Sequence, residues 1–237
     1  MDEVSDTGLM ALICREGVAL GWYYDTAEPP VATIGIGHTA AAGPPNPRVK
    51  NTMTVREAFD LFRKDVEKYA ETVRRTIKPP MAQHEFDAFV SICYNIGQGG
   101  FASSSFARFF NAGDKAGCAK AIMWWKKPAS IIGRRKQERD QFLGKKQTRF
   151  SAQLYQPGRN GRLGARSTID LVRELQIGTA SESPAPAQQP KSGQPQKPTQ
   201  KPADAPKPRS KATGLAVVVA AFGAAALAFS NWFGGWF

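Results

Sequence analysis

The sequence predicts an α+β domain, followed by a proline-rich spacer and an apolar C-terminal segment. Two observations predict the domain: a β-branched and aromatic stretch lies near the N-terminus, and several later segments carry apolar residues at helical spacing. The third observation is uneven composition: residues 178–213 hold eight of the 17 prolines, and residues 214–237 hold no charge. A single globule over all 237 residues is therefore excluded, as are complete disorder and, with three cysteines, a disulfide framework.

The first predicted element is a helix over residues 6–17. Its apolar positions recur at helical spacing, Asp6 is a suitable N-cap and Gly17 is a suitable stop. The stretch that follows, GWYYDTAEPPVATIGIGHT, is rich in β-branched and aromatic residues on both sides of its Pro-Pro pair. This composition predicts a strand, a turn and a second strand.

A long amphipathic helix is predicted next. Thr54 and Glu57 have capping-box spacing, in which each side chain satisfies a free backbone donor at the helix start. The helix should end before Pro79 and Pro80, because the residue before a proline avoids helical geometry. Its apolar stripe comprises Val55, Phe59, Phe62, Val66, Tyr69, Val73 and Ile77.

Further helices complete the predicted domain. One runs from Gln83 to Ile96 with Gly97 as its stop, and shorter helices follow at about 104–111, 114–126 and 130–143. The first 145 residues therefore predict a small strand-turn-strand lobe and a larger helical lobe.

The whole chain is predicted to divide into four parts. Residues 1–148 form the domain, and residues 149–177 form a basic extension with a short helix in STIDLVRELQI. Residues 178–213 cannot bury apolar surface and are predicted to be a disordered, partly polyproline-like linker. Residues 214–236 are apolar over a length that spans a bilayer, which predicts a transmembrane helix.

The flanks of this apolar segment predict an orientation. Lys207, Arg209 and Lys211 precede it, and the positive-inside tendency keeps the N-terminal domain cytoplasmic at first. The N-terminal sequence MDEVSDTGLM lacks the basic and apolar regions of a secretory signal. We therefore expect a single-pass protein of a bacterial inner membrane. A buried hairpin helix of the globule is the alternative interpretation of the tail.

The net charge of +12 divides into +8 for residues 1–177 and +4 for residues 178–213. A basic surface attracts polyanions such as nucleic acid, anionic lipid or acidic wall polymers. No recognition helix, zinc finger or basic strand with interleaved aromatic residues is evident, so nucleic acid is not a predicted partner.

Two acids and a hydroxyl residue form the candidate catalytic set. Glu16 ends the first helix, Asp25 follows the first strand and Thr33 begins the returning strand. Glycoside hydrolysis needs one carboxylic acid to protonate the leaving oxygen and a second carboxylate as base or nucleophile. Two acids at this interval are also common as ordinary solvated side chains, so the pattern by itself leaves both interpretations open.

Three ordered segments resemble the phage-type lysozymes, the endolysins of glycoside hydrolase family 24. They are EGVALGWYYDTAEPPVATIGIGHT, FVSICYNIGQGGFASSSF and IIGRRKQERDQFL, and together they cover about residues 8–144. The resemblance implies a lysozyme-like fold and a muramidase that cleaves the β-1,4 link between N-acetylmuramic acid and N-acetylglucosamine.

The resemblance also implies roles for individual residues. Glu16 matches the family's general acid, Asp25 its second carboxylate and Thr33 its third member, although the interval from Asp25 to Thr33 is two residues longer than usual. Most members are thought to invert the anomeric carbon, which needs carboxyl groups about 6.5–9.5 Å apart. Arg134 resembles the family arginine that approaches the glutamate, and a basic helix face formed by Arg134 and Arg135 is the alternative.

The expected function is a membrane-tethered phage endolysin that acts on the periplasmic wall during host lysis. Peptidoglycan and the inner membrane are its expected partners, together with a holin that opens access to the wall. Two alternatives remain: a non-catalytic lysozyme-like module that binds peptidoglycan, and a tail-anchored pore or scaffold protein.

The remaining candidates have structural interpretations. His38 is predicted to make a hairpin or hinge hydrogen bond, and Asn95 is predicted to cap a helix end. No cofactor is expected, and two histidines without paired cysteines predict no metal site. Inert thiols on apolar helix faces are predicted at Cys14, Cys93 and Cys118, and redox control at Cys14 is the alternative.

Overall fold

The computed structural model of the protein describes residues 3–177 of the chain. The predicted linker at 178–213 and the predicted span at 214–236 lie outside the described residues. Among residues 3–177, none of the helices combines the length and the apolar composition that a bilayer crossing requires.

Within residues 3–177 the chain forms eight α-helices and five strands, so the predicted α+β class is confirmed. The helices are α1 (Asp6–Glu16), α2 (Pro47–Lys50), α3 (Val55–Thr76), α4 (Gln83–Ala102), α5 (Ser105–Asn111), α6 (Lys115–Ile122), α7 (Ile132–Phe142) and α8 (Leu171–Leu175). The strands are β1 (Val18–Tyr24), β2 (Ala32–Gly35), β3 (His38–Thr39), β4 (Ser151–Tyr155) and β5 (Arg166–Asp170).

The junction between α1 and β1 places Glu16 at a sharp turn. Ser5, and not the predicted Asp6, is the N-cap of α1, because its Oγ accepts a hydrogen bond of 2.9 Å from the amide of Gly8. The predicted stop at Gly17 is confirmed: its φ of 79° favours glycine, and its amide donates to the carbonyl of Ile13. The chain leaves this turn directly into β1.

Helix α3 follows its prediction closely. The Thr54 side chain accepts from the amide of Glu57, and the Glu57 carboxylate accepts from the amide of Thr54, which confirms the capping box. All seven residues of the predicted apolar stripe are buried. Periodicity and capping are local properties, and they were sufficient to locate this helix.

The predicted break of α4 at Gly97 is confirmed, but the helical segment beyond it was not predicted. Gly97 has non-helical angles (φ 80°, ψ 161°), but helical hydrogen bonding resumes beyond this kink as far as Ala102. Helix α5 matches its prediction, whereas α6 and α7 are shorter than predicted. Helix α6 ends at Ile122 and α7 begins at Ile132, with the 3-10 turn Ala129–Ile131 before it.

The sheet is larger than the predicted hairpin. Its strand order is β3-β2-β1-β4-β5, and the strands pair antiparallel except β1 and β4, which are parallel. The prediction for residues 149–177 missed both β4 and β5. The helix predicted in STIDLVRELQI begins only at Leu171, because Ser167–Asp170 pairs with β4 and the Asp170 carboxylate caps α8. The β-branched residues Thr168 and Ile169 suit the strand.

Residues 149–177 pack into the same hydrophobic core as α1 and α3. Four of their large apolar side chains are buried in this core: Phe150, Leu154, Leu171 and Leu175. Strand β4 pairs with β1 through Val18 and Leu154, and so supports the residues that directly follow Glu16 and Gly17. A Cβ on Gly17 would lie 3.3 Å from the carbonyl oxygen of Gln153, so the approach of β4 is close.

Candidate active site

Glu16 lies at the C-terminal end of α1 with only 5% of its surface exposed. Its Oε1 accepts a hydrogen bond of 2.6 Å from Nη1 of Arg134, which projects from α7. Gly17 ends the helix directly after Glu16, and the ion pair with Arg134 holds the Glu16 carboxylate in place. The predicted approach of Arg134 to the glutamate is therefore confirmed.

Arg134 belongs to a buried network that joins α4 and α7. Its Nε donates to Oε1 of Glu138 at 2.9 Å, and Ser91 donates to the same oxygen at 2.7 Å. Burial opposes the charge on Arg134, but the Glu16 and Glu138 carboxylates prevail and raise its pKa above the ordinary arginine value. Arg134 therefore remains a cation beside Glu16.

Arg135 extends the network and is fully buried. It forms an ion pair with Glu138 and donates to the side-chain oxygen of Asn95 and to the carbonyl of Trp125. Burial would raise the pKa of Glu138, but Arg134, Arg135 and Arg15 together lower it. The alternative of a basic helix face is therefore wrong for Arg135, and Asn95 accepts from Arg135 within α4 instead of capping a helix end.

Asp25 is held by the loop that follows β1. Its Oδ1 accepts hydrogen bonds from the amides of Val31 at 2.8 Å and Ala27 at 3.1 Å. Its own amide donates to the carbonyl of Val31 at 3.0 Å, which closes the loop at its base. Both backbone donors use one carboxylate oxygen, so Oδ2 takes no part in holding the loop. The side chain is 8% exposed.

Thr33 lies on β2 directly opposite Tyr23 of β1. Its hydroxyl donates to the carbonyl of Val31 at 3.2 Å, and the side chain is buried. The peptide groups of Val31 thus connect Thr33 to Asp25. The residues between Asp25 and Val31 form the loop that these hydrogen bonds close, and β1 and β2 pair directly beside it through Tyr24 with Ala32 and Tyr23 with Thr33.

Tyr23 is a buried residue of β1 whose surroundings include the candidate site residues. Its side chain is buried, and its phenol lies within electrostatic range of both carboxylates: after burial, the charges of Asp25 and Glu16 are the main causes that raise its pKa. Tyr23 therefore pairs with Thr33 across the two strands and lies within electrostatic range of Glu16 and Asp25. Tyr23 had no predicted role, although its position two residues before Asp25 predicts that both lie on the same strand face.

His38 anchors the hairpin to the helical lobe. Its Nδ1 bonds Oδ2 of Asp65 on α3 at 2.8 Å, and its Nε2 bonds the carbonyl oxygen of Pro45 at 2.9 Å. This geometry confirms the predicted hinge hydrogen bond. Burial disfavours the charged imidazole, but the hydrogen bond and charge of Asp65 prevail and raise the pKa of His38.

This ion pair predicts a pH-dependent stability. The protonated imidazole stabilises the fold fully below the unfolded-state pKa of about 6.5, and that contribution is lost as pH rises through the raised folded-state pKa. We expect Asp65→Asn to lower the free energy of unfolding by about 1.5–3 kcal/mol at pH 5.5 and by less at pH 9. Urea unfolding at both pH values measures the effect. Asp60→Asn on an exposed site of α3 is the control, and an equal loss at both pH values would contradict the assignment.

The cysteines show the chemistry of inert thiols. Burial raises the pKa of Cys93 and Cys118 to about 12 each, and that of the partly buried Cys14 to about 11. These thiols are therefore protonated at neutral pH and are poor nucleophiles.

Comparisons with known proteins match this site and its surroundings. The family described as phage lysozyme matches residues 14–138, a range that contains Glu16, Asp25, Thr33 and Arg134. The chain belongs to the phage lysozyme family. The resemblance predicted from three sequence segments is therefore confirmed.

Relatives of this phage-type lysozyme include endolysins. The endolysin of Salmonella phage P22 is 31% identical over 147 residues, which cover 60% of this chain and 99% of the relative. The SAR-endolysin of Escherichia phage 933W is 35% identical over 113 residues, which cover 47% of this chain and 62% of the relative.

Solved structures support the lysozyme-like fold. A P22 lysozyme variant superposes with a TM-score of 0.56 at 30% identity, covering 60% of this chain and 99% of that one. The muramidase domain of SpmX from Asticaccaulis excentricus superposes with a TM-score of 0.54 at 28% identity, with the same coverage. The predicted lysozyme-like fold is confirmed for the part of the chain that these structures cover.

Proposed function

We propose that this phage-type lysozyme is a muramidase that cleaves the β-1,4 bond between N-acetylmuramic acid and N-acetylglucosamine. The observation that carries the proposal is the arrangement around Tyr23, where Glu16 and Asp25 come from opposite ends of β1 and Thr33 from the paired strand. Two carboxyl groups and a hydroxyl are the groups that this hydrolysis requires. The muramidase domain of SpmX, with the same fold, supports the assignment.

Each residue has a chemical role in the proposed reaction. Glu16 donates its proton to the leaving glycosidic oxygen as the bond from the anomeric carbon breaks. Asp25 accepts a proton from a water whose oxygen attacks the anomeric carbon from the opposite face, which inverts its configuration. Oδ2 of Asp25 is the oxygen that serves as base, since Oδ1 is engaged by the loop amides.

Product analysis tests the proposal. Purified peptidoglycan treated with the chain should release reducing ends, and borohydride reduction followed by mass spectrometry should identify them as N-acetylmuramic acid. Reducing ends of N-acetylglucosamine would identify a different bond. Binding to the wall without release of reducing ends would favour the non-catalytic module.

We also propose that residues 214–236 tether the enzyme to the host inner membrane, with the catalytic domain cytoplasmic before lysis. The uncharged apolar segment and its basic flank support this topology. The wall lies on the other face of the membrane, so activity requires a holin or release from the membrane.

Protease access in spheroplasts tests the topology. A tag at the N-terminus should stay protected until the membrane is permeabilised, and cleavage in intact spheroplasts would contradict the proposal. Deletion of residues 178–237 separates the enzyme from the pore-forming alternative: a muramidase stays active on chloroform-treated cells, whereas a pore-former loses all activity.

A further inference from the structure

The hydroxyl group of Tyr23 is a buried polar group near the end of β1. The side chain is 2% exposed, and among residues 3–177 no hydrogen-bond partner contacts its Oη. A buried hydroxyl that makes no hydrogen bond destabilises a fold by about 1–3 kcal/mol. Such a group in a native structure requires an explanation, and proximity to a reaction site is one of them.

The position of Tyr23 on β1 places it among the catalytic candidates. It pairs with Thr33 across the two strands, and cross-strand partners project from the same face of a sheet. Asp25 is two residues further along, on the same face by alternation. The ring itself packs against Ala19 and Tyr155, which fixes its orientation.

The phenol is a proton donor under all conditions in which the enzyme would work. Burial is the main cause that raises its pKa well above the ordinary tyrosine value, and Asp25 and Glu16 raise it further whenever they are ionised. Tyr23 therefore keeps its proton and offers an O–H group within electrostatic range of Asp25 and Glu16.

The neighbouring groups need such a donor. The hydroxyl proton of Thr33 is committed to the carbonyl of Val31, so Thr33 can only accept a further hydrogen bond. The carboxylate of Asp25 is also an acceptor. A water bound between them would donate both of its protons, one to each. One of its two lone pairs can then accept from Tyr23, and the other is directed at the anomeric carbon.

We propose that Tyr23 is a further catalytic residue, whose hydroxyl donates a hydrogen bond to the attacking water and orients it. This role rests on the proposed muramidase function. In the step itself the water oxygen bonds to the anomeric carbon, its proton passes to Asp25 and the glycosidic bond breaks. The proton of Glu16 goes to the leaving oxygen, and Tyr23 retains its own.

Tyr23→Phe in the full-length chain tests the role, because it removes only the hydroxyl and keeps the ring that packs on Tyr155. We expect kcat on sonicated peptidoglycan to fall at least ~10-fold, with KM changed less than ~2-fold. The melting temperature should stay the same or rise, since an unpaired buried hydroxyl is lost.

Tyr24→Phe is the matched control. It removes the hydroxyl from the next tyrosine along β1, which lies on the opposite face of the strand. Tyr24 is 41% exposed, and its hydroxyl accepts a hydrogen bond from Arg48. We expect its kcat to equal that of the wild type.

The possible outcomes are distinguishable. A wild-type kcat in Tyr23→Phe overturns the role of Tyr23 but leaves the muramidase function standing. A lower kcat together with a lower melting temperature also overturns the role, because it would indicate that Tyr23 is structural. A wild-type chain that releases no reducing ends overturns the proposed function and this role with it. A fall in kcat with no change in KM and no decrease in the melting temperature supports the role of Tyr23 and the muramidase function.

Discussion

Glu16→Gln is expected to reduce the clearing of chloroform-treated Gram-negative cells at least ~100-fold, because it removes the proton donor for the leaving oxygen. Glutamine has the same shape, and its side-chain oxygen can still accept the hydrogen bond from Arg134. Arg134 also keeps its ion pair with Glu138. The fold should therefore survive, and the loss should appear in turnover and not in stability.

The measurement is the rate of turbidity loss at equal protein concentration, together with the melting temperature of each variant. Glu71→Gln is a suitable control, since Glu71 lies on the exposed surface of α3 and pairs only loosely with Arg75 at 3.9 Å. That variant should clear cells at the wild-type rate. A Glu16→Gln protein that retained more than a tenth of wild-type activity would remove Glu16 from the role of general acid.

Truncation after residue 148 is expected to abolish cooperative unfolding or to lower the melting temperature by at least ~10 °C. The four large apolar side chains of residues 149–177 that enter the main core account for about 6–12 kcal/mol of gross burial free energy. Loss of this segment also exposes the surfaces of α1, α3 and β1 that it covers. Small domains have only about 5–15 kcal/mol of net stability, so a loss of this size is critical.

Thermal unfolding followed by circular dichroism compares residues 1–148 with residues 1–177. A loss of about 3 kcal/mol corresponds to roughly 6–12 °C in a domain of this size. Removal of residues 178–237 alone is the control and should leave the melting temperature unchanged within about 2 °C. Equal melting temperatures for 1–148 and 1–177 would show that the segment adds nothing to the core.

Residues 149–177 also show why part of the fold escaped prediction from sequence. Ile169, Leu171, Val172 and Leu175 have spacings that fit a helix over much of STIDLVRELQI. The first half of that stretch is a strand only because β4 offers it a partner, and β4 in turn depends on β1, more than 120 residues earlier. Pairing over such separations has no local sequence signal.

The candidate site, like the fold, was predictable from sequence only in part. The ordered segments around Glu16, Asp25, Thr33 and Arg134 were recognisable from sequence, because their residue types and intervals are local. The acceptor role of Asn95, the burial of Arg135 and the unpaired hydroxyl of Tyr23 were not recognisable. Each depends on which side chain of another element lies opposite.

The sequence by itself determined the positions of the main helices, the stop of α1 at Gly17, the capping box of α3 and the residue types needed for acid–base chemistry, since these follow from short-range periodicity and spacing. Only the tertiary structure decided how the strands pair and which charges are buried together. It also decided which hydroxyl group is buried without a hydrogen-bond partner among residues 3–177. The physical reason is that hydrogen-bond satisfaction and desolvation are properties of a packed environment, to which distant residues contribute as much as neighbours.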